Sequence, residues 1–250
     1  MNIKKYGDSK RCDVAKALFE GAVERLRLVF LPIPTSRDGK HINGTDIEID
    51  RIIDETDGAC LVVGYKIPMP LCDRLTARGS KYLDLNLDEK FQEENARISA
   101  MGAVGYILAN FDRCVFDMQI GIVGYGRIGK ELFRYLTFLG ARVRVYTTNE
   151  KTAVSLSENS VDVSLTVGGV RDFSGLDLVI NTAPTDLSPS FPEGKIPDGM
   201  RVIELASGEN FSGVCGVERL PSIPEKMYSR SGGIAYYKAI IRFLKEECKA

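Results

Sequence analysis

Residues Gln119–Tyr146 read QIGIVGYGRIGKELFRYLTFLGARVRVY. Gln119–Val123 is a short apolar run of the kind buried in a parallel sheet, and the spacing predicts a strand there. A helix is expected over Arg127–Leu139, with Gly140 as its stop, and a second strand over Arg142–Tyr146. Between the first strand and the helix stands G-x-G-x-x-G, at Gly124, Gly126 and Gly129. The pattern alone is weak; placed after a strand and opening a helix it gives each glycine a role. Gly124 makes the tight turn, Gly126 lets the backbone approach a pyrophosphate, and Gly129 lets the helix lie on its strand. The N–H groups and the dipole of the helix start at Arg127, Ile128 and Gly129 attract phosphate charge. The segment is therefore expected to bind a dinucleotide; the plain alternative is a glycine turn in a domain that binds nothing.

The end of the second strand bears on which dinucleotide. NAD sites usually carry Asp or Glu about 20 residues on, accepting from the ribose hydroxyls. Here the chain reads Tyr146-Thr147-Thr148-Asn149, with no acid before Glu150. A carboxylate would repel a 2′-phosphate, whereas two hydroxyls and an amide can donate to one. Lys151 adds charge, and Arg127 or Arg144 are further candidates. NADP is expected, with NAD as the alternative; the plain reading of Thr147, Thr148 and Asn149 is a turn.

Outward from this unit the alternation of strand and helix continues. Val161–Val167, Leu176–Thr182 and Arg201–Ala206 read as strands, and Gly233–Glu247 as an amphipathic helix. Before it, strands are expected at Arg27–Pro32, Ala59–Tyr65 and Lys81–Leu87, and helices at Asp46–Thr56 and Leu71–Arg78, the latter stopped by Gly79. One long helix is expected over Asp88–Asn110, with small residues at Ala96, Ser99, Ala100, Gly102, Ala103 and Gly105 suited to close packing. The expected fold is α/β, with two doubly wound parallel-sheet domains, the second a Rossmann dinucleotide-binding fold. Its parts would be a small substrate or cap domain (1–90), a connector helix (91–112), the Rossmann domain (113–232) and a closing helix packing back toward the first domain (233–250).

Composition narrows the function classes. With 33 Lys plus Arg against 34 Asp plus Glu and a net charge of -1, the chain has no excess of positive charge for nucleic acid or an anionic membrane. The first residues show no apolar signal-peptide core, and Ile98–Phe111 is too short to span a membrane of about 30 Å. A cytoplasmic protein is expected. Six scattered cysteines without a C-x-x-C pair suggest free, buried thiols, and no metal site is expected. His41 is the only histidine and stands in the polar run Ser36–Asp46, where an exposed loop is its plain reading.

The run GYGRIGKELFRYLTFLGARVRVYT resembles the cofactor turn of the D-2-hydroxyacid dehydrogenase superfamily. Four further stretches are similar to the family of the dipicolinate synthase A chain: Asn95–Gly105, LDLVINTAP at Leu176–Pro184, RVIELAS at Arg201–Ser207 and SGGIAYYKAI at Ser231–Ile240. The resemblance implies an NAD(P)-dependent oxidoreductase acting on a small carboxylate-bearing metabolite. It implies that Thr182, Ala183 and Pro184 line the cofactor. It also implies two partners to consider, a second copy in a homodimer and a second synthase subunit. The chain departs from the pattern at several points. The loop Ala206-Ser207-Gly208 lacks the superfamily's arginine, Arg230 stands in place of its histidine, the front domain is short, and Met101 replaces a glutamate of the connector. Histidine–arginine chemistry is therefore not carried over.

In open parallel sheets ligands lie beyond the carboxyl ends of the strands. Three loops are expected there: Asn181–Thr185, Ala206–Asn210 and Arg230–Lys238, the last on the wall of a cleft between the two α/β blocks. Arg230 or Lys238 would pair with a substrate carboxylate, and Ser207, Tyr236 or Tyr237 would relay a proton. The plain readings are a surface charge, a solvated helix lysine and core tyrosines; Glu204, inside a strand pattern, is a weaker candidate. A competing class is a non-catalytic dinucleotide-binding regulatory or redox-sensing protein, favoured by the missing histidine and arginine. A methyl-donor or nucleoside hydrolase relative is disfavoured by the missing ribose acid.

Overall fold

A computed structural model of the chain describes residues 2–19, 27–56, 58, 60–166 and 171–248. In chain order the elements are β1 (Asn2–Lys5), α1 (Lys10–Phe19), β2 (Arg27–Phe30), α2 (Asp50–Asp54), β3 (Cys60–Gly64), α3 (Met69–Ala77), β4 (Lys81–Asp84) and α4 (Glu89–Asn110). There follow β5 (Gln119–Val123), α5 (Arg127–Phe138), β6 (Arg142–Thr147), α6 (Glu150–Glu158), β7 (Asp162–Leu165) and β8 (Leu178–Asn181). Last come β9 (Arg201–Glu204), β10 (Glu218–Arg219), α7 (Ile223–Lys226) and α8 (Ser229–Glu247). They form two compact units, Met1–Asn95 with Pro224–Ala250, and Ala96–Ile223.

The first unit holds a parallel sheet in the order β1-β2-β3-β4. β3 (CLVVG) is buried along its whole length, as a central parallel strand covered on both faces must be. Val29 and Val62 join Leu31, Ile42, Ile52 and Leu75 in one core cluster. Side chains alternate along a strand, so Phe30 faces the other way, where its ring lies 6.3 Å from that of Tyr236 on α8. Helices thus cover both faces. α8 lies against α1 at backbone distance: a Cβ on Gly232 would fall 2.3 Å from Arg11 Cδ, and one on Gly233 2.5 Å from Val14 Cβ. The pair Gly232-Gly233 is there because no side chain fits.

The second unit holds a six-stranded sheet, all parallel, in the order β7-β6-β5-β8-β9-β10. The chain runs outward from β5 through β6 and β7, then returns to β8 on the other side of β5. The order reverses between β5 and β8, which is the switch point of a Rossmann sheet. One face is filled by Val123, Val179 and Val202 against the ring ladder Phe173–Phe191–Phe211.

The α/β class and two parallel sheets are as the alternation implied. Several element bounds differ. The helix expected over Asp46–Thr56 is confined to Asp50–Asp54. Ahead of it Gly44 (φ 77°) makes a turn in which Ile42 N–H donates to Ile47 O at 2.8 Å, and His41 bridges Glu48. The closing helix starts at Ser229 rather than Gly233. β4 ends at Asp84 because its carboxylate turns back to accept from the N–H groups of Lys66, Ile67 and Asn86. Ala59 and Val167, ends of two expected strands, lie outside the described residues.

Candidate dinucleotide site

The glycine turn occupies the switch point. Gly124 has φ 92°, a conformation that disfavours a side chain. A Cβ on it would also stand 2.9 Å from both Thr182 Oγ1 and Ala183 Cβ. Gly126 precedes α5 and faces open space, with no atom within 4 Å of where its Cβ would be. Gly129, buried in the first turn of α5, could carry no Cβ at all: it would lie 2.1 Å from Gly124 O. Arg127 is exposed and Ile128 half-buried at the start of the same helix. One glycine therefore bends the chain, one leaves room for a ligand beside the first turn of α5, and one seats the helix on the turn.

The loop after β8 is tied to this turn. Thr182 N–H donates to Val123 O at 2.9 Å, and Thr182 Oγ1 to Val123 O at 3.0 Å and Gly124 O at 3.2 Å. Ala183 follows half-buried and Pro184 exposed. Asn181, the last residue of β8, is fully buried; its Oδ1 accepts from Ala183 N–H at 3.1 Å. Its Nδ2 donates to both carboxylate oxygens of Glu204, at 3.2 Å each, from the register partner position on β9. Ala206 N–H donates to the same carboxylate at 2.7 Å. Burial pushes the Glu204 carboxyl above its ordinary range, opposed by donors from Asn181, Ala206 and Asn210. This buried pair at the carboxyl rim of the sheet carries more structure than a residue in a strand pattern suggested.

At the end of β6, Thr147 is buried and its Oγ1 accepts from Asn149 N–H at 3.2 Å. Asn149 caps α6, its Oδ1 accepting from Thr152 N–H at 2.9 Å, and Thr148 is exposed. The two side-chain oxygens thus serve the turn, leaving the Thr147 hydroxyl hydrogen and the Asn149 amide hydrogens as donors. Arg144, on β6, is ion-paired at 2.9 Å with Asp162 of the edge strand β7. Lys151 lines a groove between α5 and α6 of about 470 Å³, together with Tyr125, Lys130, Phe133, Thr152 and Ser155. The Tyr125 and Phe133 rings meet edge to face at 5.9 Å, and Lys130 Nζ stands 5.9 Å from the Tyr125 centroid. Burial raises the Tyr125 phenol. Lys130, directly after the glycine run, carries no motif signal.

Ser207 is exposed in the loop after β9, its carbonyl accepting from Asn210 Nδ2 at 3.3 Å. Arg230 and Lys238 both belong to α8 in the first unit. Arg230 is exposed; Lys238 Nζ is paired with Glu94 Oε1 at 3.1 Å. Tyr236 is buried core, its ring edge-on to Phe91 at 5.3 Å, and Tyr237 packs on Phe19 at 4.7 Å. His41 is bonded to Asp38 at 2.7 Å in the first unit. The thiols were expected to be buried, but Cys114, Cys215 and Cys248 are exposed, because they sit in connections and at a helix end. Among the described residues there is no cluster of metal-ligating side chains, and no helix is long and apolar enough to cross a membrane.

No family model and no curated protein sequence matches the chain. Solved structures do. The chain is similar to the dipicolinate synthase A chain from Bacillus subtilis, with a TM-score of 0.76, 16% identity and coverage of 99% of this chain and 97% of that one. The A chain of the same enzyme from Bacillus halodurans gives 0.74 at 16% identity, covering 97% of each. The apo D-lactate dehydrogenase from Escherichia coli gives 0.60 at 12% identity, covering 100% of this chain and 98% of that one. At such identities the shared property is the fold, and in fold the resemblance drawn from the sequence is met.

Proposed function

We propose, from a fold shared with the dipicolinate synthase A chain and with D-lactate dehydrogenase, that this chain is a nicotinamide-dinucleotide oxidoreductase preferring NADP to NAD. The observation that carries the reading is Gly126, facing open space beside the N-terminal turn of α5 at the switch point of the sheet. Amides of Arg127, Ile128 and Gly129 would bind the pyrophosphate, and Thr182, Ala183 and Pro184 would shape the nicotinamide side. NADP is favoured over NAD by the exposed Thr148, the remaining donors of Thr147 and Asn149, and the ammonium groups of Lys130 and Lys151 in the groove between α5 and α6. When bound, the nicotinamide supplies hydride transfer; the protein supplies orientation and a path for the proton. Ser207, exposed on the loop after β9, is the candidate to move that proton.

The substrate class proposed is a small carboxylate-bearing, anionic metabolite, for which Arg230 is the candidate partner. Lys238 is a weaker one, since Glu94 already holds it. A cytoplasmic homodimer that partners a second synthase subunit belongs to the same reading. A second reading, a dinucleotide-binding regulatory or redox-sensing protein without catalysis, is favoured by one observation. The loop Ala206-Ser207-Gly208 offers no cation.

Calorimetric titration of NADPH and NADH into the wild type and Gly126→Val tests the proposal. The expected result is at least tenfold tighter binding of NADPH than NADH, and at least a tenfold loss for Gly126→Val at an unchanged thermal midpoint. A tenfold change corresponds to about 1.4 kcal/mol. Unchanged affinity in Gly126→Val would refute the site, and equal affinities of the wild type for both cofactors would refute the NADP preference.

A further inference from the structure

Glu204 is 4% exposed, and among the described residues it has no ion pair. Arg219, its neighbour on β10, instead faces Glu209 at 3.8 Å. A carboxyl group buried without a direct ion pair is costly and is retained where something depends on it. What depends on it here is the orientation of one amide. Glu204 accepts from Asn181 Nδ2 at 3.2 Å to each oxygen, from Ala206 N–H at 2.7 Å, and from the side chain of Asn210. Toward all of them it is an acceptor. A carboxamide presents a donor on one side and an acceptor on the other. With Nδ2 committed to Glu204, Asn181 must turn Oδ1 toward Ala183 N–H, where it accepts at 3.1 Å. Ala183 follows Thr182, whose hydroxyl closes on the carbonyls of Val123 and Gly124. A row of hydrogen bonds therefore runs from Glu204 through Asn181 to the loop that abuts the glycine turn.

We propose that Glu204 is a positioning residue: as an obligate acceptor it sets the Asn181 carboxamide, and through Ala183 N–H it fixes the loop Thr182–Pro184 in the form that takes the nicotinamide end of the cofactor. The inference rests on the dinucleotide reading of this rim.

The donor and acceptor order makes a specific variant informative. In Glu204→Gln, the new Nε2 meets Asn181 Nδ2, donor against donor, unless Asn181 turns over and leaves Ala183 N–H without its acceptor. In Asn181→Asp, two carboxyl groups face each other. In the double variant Asn181→Asp/Glu204→Gln the pair is restored with the roles exchanged. The introduced glutamine would accept from Ala206 N–H and donate to the introduced aspartate, whose other oxygen still accepts from Ala183 N–H. NADPH and NADH titrations followed by cofactor fluorescence, with circular-dichroism melts to confirm folding, separate the outcomes. The expected result is at least a tenfold loss of affinity in each single variant and recovery to within about threefold of the wild type in the double. Loss of packing alone would not be repaired by adding a second substitution. Single variants that bind like the wild type, or a double variant as weak as the weaker single, would overturn the proposal. If a single variant does not fold, a folded double variant that fails to bind overturns it equally. A wild type that binds neither cofactor defeats the dinucleotide reading itself; a wild type that binds while the singles are unaffected defeats the positioning role alone.

Discussion

His41 is the one histidine of the chain, so its imidazole gives a single titrating resonance. Its hydrogen bond to Asp38 raises its affinity for a proton, while the N–H groups of His41 and Lys40 hold the Asp38 carboxyl well below its usual range. A histidine whose folded value is raised contributes stability below its ordinary titration range, and that contribution disappears as pH rises through the folded value. Proton NMR should place the His41 midpoint above the ordinary value of about 6.5, and Asp38→Asn should bring it back; an unmoved midpoint would remove the pair. Residues differ in how far sequence reveals them. Gly124, Gly126 and Gly129 are legible because what they satisfy is backbone geometry within one strand–helix unit. Asn181 and Glu204 are not, because each is an ordinary polar letter until the register of β8 on β9 sets them side by side. Asn149 could be read as a turn residue, yet its capping of α6 follows only once the helix is known to start at Glu150.

Among the elements, α8 shows best what a pair of glycines can serve. Topology led the stretch Arg230–Lys238 to be expected at a ligand edge; in the structure Gly232 and Gly233 within it make the contact between α8 and α1. A Cβ on Gly233 would stand 2.7 Å from Arg11 O as well as 2.5 Å from Val14 Cβ, and backbone cannot step aside as a flexible side chain does. Gly233→Ala should therefore destabilise the first unit by about 1–3 kcal/mol through overpacking, although alanine inside a free helix gains roughly 1 kcal/mol over glycine. Urea unfolding measures the sign; a more stable variant would mean that the helices have room to separate. Short elements escape sequence reading for a related reason. α1 (KRCDVAKALF) mixes four charges into ten residues, and what marks its inner face is burial of Arg11 and Cys12 against α8, a contact made more than two hundred residues later in the chain. Glu225 completes this end, accepting from Arg11 Nε at 2.8 Å and Ser9 Oγ at 3.0 Å.

For the molecule as a whole, the first unit is discontinuous: residues 1–95 need 224–250, whereas the second unit is one unbroken stretch. Removing everything after Tyr228 deletes α8, with Tyr236 and Ile240 that are 1% and 0% exposed. At about 1.5–3 kcal/mol for each large buried side chain, the loss of roughly 3–6 kcal/mol rivals the whole stability of a small domain. Hydrogen exchange on the truncated chain should show β1–β4 unprotected and β5–β9 still protected; retained protection in β2 and β3 would disprove the dependence. The same discontinuity has a consequence in time. A ribosome releases residues 1–95 well before α8 exists, and at roughly 5–20 residues per second the wait is of the order of ten seconds. The second unit is itself made during that interval and is complete just before α8, while the nascent strands β2 and β3 stay without their final cover. The unit whose synthesis starts earlier is therefore the one that matures later, and it is the part that would engage chaperones on the ribosome.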